Sequence, residues 1–385
     1  MRIQKTICFF LFTILFSLPG FSQIDTCKLR ISLLTCSPGV ELYSAWGHTA
    51  IRVIDSTTGM DMVLNYGTFD DSDPAFLAKF TKGIMNYALS AYPYTDFLNE
   101  YRSAGRGVIE QTLSLQCDEK INLYNALRIN AMNENRFYKY FFSEDNCTTR
   151  AKEMIGKHTN HPISFSSVIS FPPPSFRNLI HVYLYTDAQR WNKLGIDILL
   201  GSNLDKKVSN EQSMFLPENL LKGFDSAYIN NKALVSRKTI VIPFPAKMPD
   251  GNGGLSPLIL FSLLAIFILV LSFLTNHIAK KTLLFFDILF FLILGLLGTL
   301  LTVLWMIRID DVCRNNFNLL WAIPTHFPVA FLLFKNKKWL KKYFKIIFLI
   351  TALTGTFWWL IPQQFNSAVI PVLFIILLRS WQRSK

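Results

Sequence analysis

The sequence has no CxxC pair and no group of His and Cys residues at zinc-ligand spacing, which excludes a zinc ribbon, a zinc finger or a dithiol redox centre. It has no internal repeat. Acidic residues are scarce: 26 Asp and Glu stand against 39 Lys and Arg, for a net charge of +13. That excess does not make a nucleic-acid surface. Much of it lies between apolar segments, as in Lys335-Asn336-Lys337-Lys338 and Lys341-Lys342, and no basic face interleaved with aromatics is present. Nucleic acid is therefore excluded as a partner, and the charge reads as membrane topology. What is plentiful is apolar. Of 385 residues, 51% are hydrophobic, too many for an ordinary soluble enzyme. They are unevenly spread: residues to about 249 have normal polarity, and from Leu255 onward Leu, Ile, Phe and Val dominate.

The first residues read as a secretory signal. Met1-Arg2-Ile3-Gln4-Lys5 is a basic start, 8–18 is a short apolar run, and Gly20-Phe21-Ser22 puts small residues where cleavage occurs. The expected mature chain begins near Gln23, with no Cys at that position to suggest a lipoprotein signal. Cys8 would leave with the signal. Cys27, Cys36, Cys117, Cys147 and Cys313 remain, an odd number that leaves at least one thiol unpaired. Cys147 has the best local context for it. Cys27 and Cys36 either pair across a short loop or stay as buried free thiols.

The expected exported part, 23–245, mixes strands and helices. Strands are expected at 29–34, 49–54, 60–66, 85–92, 108–115, 137–142 and 238–242, the second and third as a hairpin about Asp55-Ser56-Thr57-Thr58-Gly59. Asp73-Pro74 reads as a helix cap with Phe76, Leu77, Phe80 and Ile84 on one face. Further helices are expected at 94–103, from a cap at Asp118 to about 132, at 148–155 with a stop at Gly156, at 176–185, at 188–200 and from Phe215. The Pro-, Gly- and Asn-rich stretch 246–256 reads as a linker.

Residues 257–385 fit five membrane spans, at about 257–275, 283–306, 318–334, 346–361 and 367–378. With the exported part outside, the inner connections hold Lys280 and Lys281, then Lys335, Lys337, Lys338, Lys341, Lys342 and Lys345, then Arg379, Arg383 and Lys385. The outer connections balance Arg308 and Arg314 with Asp310 and Asp311, and 362–366 carries no charge. The positive-inside bias agrees with the secretory start.

Within the exported part, two residues carry the chemistry. His48 in Trp46-Gly47-His48-Thr49 opens a strand. Cys147 in Asp145-Asn146-Cys147-Thr148-Thr149-Arg150 opens a helix. A thiol at a helix N-terminus feels the positive end of the macrodipole, which favours thiolate. An imidazole on a neighbouring strand completes a nucleophile–base pair. The N–H of Cys147 is a natural oxyanion donor. The hairpin returns Asn65 and Tyr66 close to His48, so Asn65 is the candidate orienting group. Tyr43, Ser44, Tyr66 and Asn146 are candidates to line the site for substrate. Asn318 and Trp321, at the outer end of the third span, are candidates to bind a lipid headgroup or glyceryl group, or to anchor at the interface. His326, between Pro324 and Pro328, is either an intramembrane polar site or a helix–helix hydrogen bond. The aromatics Phe137, Tyr138, Tyr140, Phe141 and Phe142 either exclude water from the site or pack in the core.

The order of His on a strand, then Cys at a helix start, resembles the permuted, NlpC/P60-like branch of the papain-like fold. The set Trp46-Gly47-His48-Thr49, Asn65-Tyr66-Gly67-Thr68-Phe69, Asp145-Asn146-Cys147-Thr148-Thr149-Arg150 and Phe215-Leu216-Pro217 resembles the exported domain of Lnb-type lipoprotein N-acyltransferases. Asn316-Phe317-Asn318-Leu319-Leu320-Trp321 before Pro324 resembles their membrane half. The resemblance implies an α+β permuted papain-like domain followed by an all-α membrane domain of about five helices. It implies a ping-pong acyl transfer at the inner membrane, with Cys147 and His48 as catalytic pair and no metal or cofactor. The partners would be a membrane phospholipid as acyl donor and lipidated apolipoproteins as acceptors. The competing readings are a cell-wall amidase or endopeptidase on the same fold, and a membrane-anchored sensor or assembly protein with no activity.

Overall fold

The computed structural model describes residues 27–69, 74–186, 189–246, 254–335 and 337–385. The expected secretory segment and the expected cap Asp73 lie outside these residues. The described chain begins with β1 (Leu29–Cys36), β2 (His48–Asp55), β3 (Met60–Phe69), β4 (Asn86–Pro93), β5 (Val108–Leu113) and β6 (Phe137–Lys139). A small hairpin of β7 (Tyr228–Ile229) and β8 (Lys232–Ala233) precedes β9 (Val235–Ile242). Seven strands make one antiparallel sheet in the order β6-β4-β3-β2-β1-β5-β9. The β2–β3 turn is set by Asp55, whose carboxylate accepts from the Thr57 N–H at 2.8 Å and the Thr58 hydroxyl at 3.0 Å, and by Gly59 at φ 73°.

Among the described residues, eight α-helices belong to this part: α1 (Phe76–Lys82), α2 (Tyr94–Ser103), α3 (Cys117–Asn130), α4 (Cys147–Lys157), α5 (Phe176–His181), α6 (Arg190–Leu199), α7 (Asn210–Ser213) and α8 (Pro217–Asp225). Alternation along the strands gives the sheet two apolar faces. On one, Ile31, Leu33, Ile51, Val53 and Leu64 pack against Leu123 and Leu127 of α3, Ala151 and Ile155 of α4, and Leu220 and Phe224 of α8. On the other, Leu34, Ala50 and Val63 are covered by Phe97, Leu98 and Tyr101 of α2. The result is an α/β, sheet-rich domain with α4 laid across β2 and β3.

Several local expectations change. Cys27 is bonded to Cys117, ninety residues on, and Cys36 is a buried free thiol. A Cys27–Cys36 pair is ruled out because β1 runs between them and holds them at opposite ends of a strand, roughly 25 Å apart. Helix α3 starts at Cys117, not after a cap at Asp118. Gln116 is its cap, and Glu119 accepts from the Gln116 N–H at 2.7 Å. Helix α4 runs one residue past Gly156. Strand β6 is short because the chain turns at once, Phe141 bridging to Asp145.

The remaining chain is helical: α9 (Pro257–Phe273), α10 (His277–Ile307), α11 (His326–Ala330), α12 (Lys338–Thr356) and α13 (Val369–Ser384). Among the described residues, α10 is long and apolar enough to cross a membrane by length and composition, and α9 is a shorter apolar helix. The expected third span, 318–334, is not one helix. It is a 3-10 turn, Phe317–Leu320, then Pro324, then the five residues of α11. Pro324 and Pro328 each withhold an N–H from a regular helix. The irregular backbone is instead pressed onto α10. A Cβ on Gly295 would stand 2.0 Å from the Phe327 nitrogen, and one on Gly298 2.1 Å from the Ala322 oxygen. Trp321, Ala322, Val329 and Ala330 are buried there, so the unpaired backbone is covered by protein. His326 Nδ1 meets the Tyr343 hydroxyl of α12 at 2.6 Å, which is the helix–helix hydrogen bond.

One end of the helical part faces the sheet domain and the other gathers charge. At the remote end, Asp287 of α10 is fully buried and accepts from Arg379 at 2.7 and 2.8 Å and from Arg383 at 2.7 Å. At the near end the two parts are locked together. Asn316 donates to the carbonyls of Ile198 and Leu199, and Asn318 to those of Asp197 and Ile198, all at the end of α6. Asp197 collects donors from both parts: Arg177 at 3.3 Å, His181 at 2.7 Å, Lys193 at 2.8 Å and Asn366 at 2.9 Å. Burial alone would raise this carboxyl, but His181 and Lys193 hold it at about 2.

Candidate active site

The site is built where the ends of β2 and β3 meet the first turn of α4. Asn146 caps that turn. Its Oδ1 accepts from the N–H groups of Thr148 at 2.8 Å and Thr149 at 2.9 Å. Its Nδ2 donates to the carbonyls of Phe142 at 2.8 Å and Phe215 at 3.0 Å. Every polar atom of Asn146 thus serves the fold, and the cap fixes Cys147 as the first helical residue. The Phe215-Leu216-Pro217 motif has the same purpose. Phe215 supplies the carbonyl, and Pro217 packs on Gly47, whose Cβ would be 3.5 Å from the proline ring and 2.7 Å from the Cys36 carbonyl. Gly47, at φ 84°, is therefore the residue that lets the chain turn into His48. Trp46 braces this turn, edge-on to Phe142 at 4.9 Å and donating to the Ile180 carbonyl at 3.3 Å.

Cys147 and His48 are brought together. Both border Gly67, and the imidazole and the Thr49 backbone N–H lie close enough to act on the Cys147 sulfur. His48 Nε2 is held by Asn65 Oδ1, which leaves Nδ1 as the ring nitrogen for the thiol. Asn65 is fixed in turn by donating Nδ2 to the Tyr92 hydroxyl at 2.9 Å. The Thr148 hydroxyl lies 3.8 Å from the sulfur and 3.1 Å from the Thr49 hydroxyl. Burial pushes the Cys147 thiol up, but the His48 charge and hydrogen bond, the Thr49 N–H and Thr148 more than offset it, and the thiol sits at about 7. Burial lowers His48, and Cys147 and Asn65 raise it further than burial lowers it. The arrangement favours a thiolate beside an imidazolium. As the first N–H of a helix, that of Cys147 has no intrahelical acceptor.

Glycine 67 is the residue that motif reading alone did not single out. It sits in a bulge of β3, at φ 97°, and its Cβ would be 3.4 Å from the Cys147 Cβ and 3.5 Å from His48 Cε1. It keeps clear the space beside the pair. Gly67→Val should strain the backbone by roughly 1–2 kcal/mol and crowd the Cys147 Cβ and the His48 ring. We expect the rate of Cys147 acylation or alkylation to fall about a hundredfold with the melting curve displaced by only a few degrees. An unchanged rate would show that the gap has no part in reactivity.

The other sequence candidates are elsewhere. Tyr66 is buried in the core and donates to Asn130 at 2.6 Å. The Ser44 hydroxyl donates to the Glu41 carbonyl at 3.0 Å within its own turn. Tyr43 is exposed and lies edge-on to Phe69 at 6.2 Å. Asn318 and Trp321 are buried in the junction, with Trp321 Nε1 donating to Asn318 Oδ1 at 3.0 Å. Their donors are used up on the protein's own carbonyls, so no headgroup reaches them. The aromatic run divides: Tyr138 and Phe142 pack in the core, Phe137 is exposed, and Tyr140 stacks on Tyr87 at 4.2 Å, both near enough to feel the Cys147 charge. No group of three or more His, Cys, Asp or Glu among the described residues is arranged to hold a metal ion.

Comparison with known proteins adds two findings. The Lnb N-terminal periplasmic domain matches residues 20–181, and the Lnb transmembrane domain matches residues 250–384. No curated protein and no solved structure matches the chain. The first match contains both His48 and Cys147; the second contains α9 to α13. Both halves matched, in this order along one chain, make it a membrane protein with a periplasmic domain and a member of the Lnb family of lipoprotein maturation proteins.

Proposed function

We propose that the protein is a thiol acyltransferase of the inner membrane, with its catalytic domain in the periplasm and a permuted papain-like arrangement of His48 and Cys147. The observation that carries this reading is the Cys147–His48–Asn65 chain of contacts where β2 and β3 meet the first turn of α4. In the first half-reaction the Cys147 sulfur attacks an ester carbonyl of a membrane phospholipid. The sulfur–carbon bond forms, the ester carbon–oxygen bond breaks, and His48 passes the thiol proton to the departing lysolipid alkoxide. The N–H of Cys147 is the donor for the intermediate oxyanion. In the second half, the α-amine of the lipid-bearing N-terminal Cys of an apolipoprotein attacks the thioester. The nitrogen–carbon bond forms, the carbon–sulfur bond breaks, and the amine proton returns through His48 to the pair. Five membrane segments, the third irregular, complete the reading.

Both substrates are membrane-anchored, so a thiol fixed beside the bilayer meets them at high effective concentration. An amine beats water only in a largely dry site, and Tyr87 and Tyr140 beside Cys147 supply apolar cover. The test is single-turnover. Purified protein mixed with phospholipid alone should gain an acyl mass on the Cys147 peptide and release one lysolipid per thiol. Release of peptide from peptidoglycan, with no acyl mass, would replace this reading with an amidase.

A further inference from the structure

A set of large apolar side chains stands exposed beside the thiol site. Val40, Leu42 and Tyr43 lie on the β1–β2 loop, Val182 and Tyr185 follow α5, and Trp191 opens α6; they are between 39% and 73% exposed. They belong together in space. The Gln189 side chain donates to the Val40 carbonyl at 2.8 Å, tying the loop to the start of α6. Trp191 Nε1 donates to the Leu255 carbonyl at 3.1 Å, and its ring lies edge-on to Phe261 of α9 at 6.0 Å. The patch is therefore continuous with α9, whose Leu258, Ile259, Leu260 and Leu263 are exposed in turn. A soluble surface does not gather such side chains without a partner. Beside the first turn of an apolar helix, the partner is the bilayer, and an aromatic with a polar tip suits that depth. Glu41, exposed within the loop, falls among headgroups.

The patch also leads inward. Tyr43 contacts Phe69 edge-on at 6.2 Å, Phe69 contacts Tyr87 at 5.2 Å, and Tyr87 stacks on Tyr140. Phe69 is two residues beyond Gly67, which borders the Cys147 Cβ and the imidazole Cε1. We infer that the β1–β2 loop and the turn after α5 form an apolar rim seated in the outer leaflet, and that the row Tyr43–Phe69–Tyr87 conducts a lipid acyl chain from that leaflet to Cys147. The conduction half rests on the acyl-transfer reading; the seating half does not.

Full-length protein in vesicles of phosphatidylethanolamine and phosphatidylglycerol provides the test. The double variant Val40→Asp, Val182→Asp, which changes the rim and leaves the row intact, should form the Cys147 thioester from vesicle lipid about tenfold or more slowly. Its rate with a short-chain phospholipid kept below its micelle-forming concentration should match wild type. Equal loss on both donors, or no loss on either, overturns the conduction. Seating is read separately, with a spin label on Tyr43→Cys or Tyr185→Cys in a Cys147→Ser background. We expect collision with oxygen and protection from a water-soluble nickel chelate; a water-like response overturns the seating. If wild type makes no thioester with either donor, the acyl-transfer reading and the conduction fail together, and the spin labels still decide the rim.

Discussion

Cys147→Ala should yield a folded, inserted protein that makes no acyl-enzyme and leaves lipoproteins with a free α-amine. Removing the nucleophile of a covalent pathway removes the pathway, so the expected fall in rate is on the order of 10⁴-fold or more. The fold has little reason to suffer. Asn146, not Cys147, holds the helix start, through two accepted and two donated hydrogen bonds. Losing one buried sulfur costs about 1 kcal/mol by cavity formation, with Ala151 and Ile155 of α4 still packed on the sheet. Intact mass of lipoproteins made in cells carrying only the variant reads the outcome, beside a melting curve of the purified protein. N-acylated product at the wild-type level would end the thioester route.

Replacing His48 by Ala should have almost as large an effect, and a different signature. The imidazole is the main influence that brings the Cys147 thiol down to about 7 against the burial that raises it. Without it, burial prevails and the thiol returns to or above its ordinary value. At pH 7 the thiolate then falls from about half to about 3% or less. Loss of the proton carrier adds to this, for a combined fall of roughly 10³–10⁴-fold in acylation. Alkylation by iodoacetamide across pH measures the thiol directly. Wild type should show a midpoint near 7, and His48→Ala a midpoint moved upward past the ordinary thiol value. In wild type, acylation should rise as the pair loses its first proton and fall at higher pH as the raised imidazolium loses the second. A midpoint that stays in place in His48→Ala would mean that another group lowers the thiol.

The sheet was legible because its strands alternate and its turns are punctuated: β2 and β3 were marked by the Thr-Thr-Gly turn, α2 by its stretch 94–103. The pairing of the thiol with His48 and Asn65 was also within reach, since a hairpin returns residue 65 to residue 48 and a cap precedes residue 147. What sequence could not convey was the use of polar residues over long separations. Asn318 and Trp321 look like headgroup ligands in a segment beside a membrane; only the fold puts the end of α6 against Asn318, which in turn accepts the Trp321 N–H. Asn146 looks like a site residue because it adjoins the thiol, and its partner Phe215 is far along the chain. Cys117 gave no local sign of its bond to Cys27. The irregular third segment depended on Gly295 and Gly298 of a different helix, which a hydropathy window over 318–334 does not include.

The lock at Asp197 has a mechanical consequence. Four donors from both parts converge on one buried carboxylate, and Asn316, Asn318 and Gln363 add bonds to neighbouring carbonyls. Breaking such a buried set costs about 3–5 kcal/mol, so the catalytic head does not swing on a tether. Under the proposed acyl transfer, its sulfur is held at one altitude over the membrane plane, like a stylus on a fixed arm, and an ester is attacked or ignored according to how far it rises to meet it.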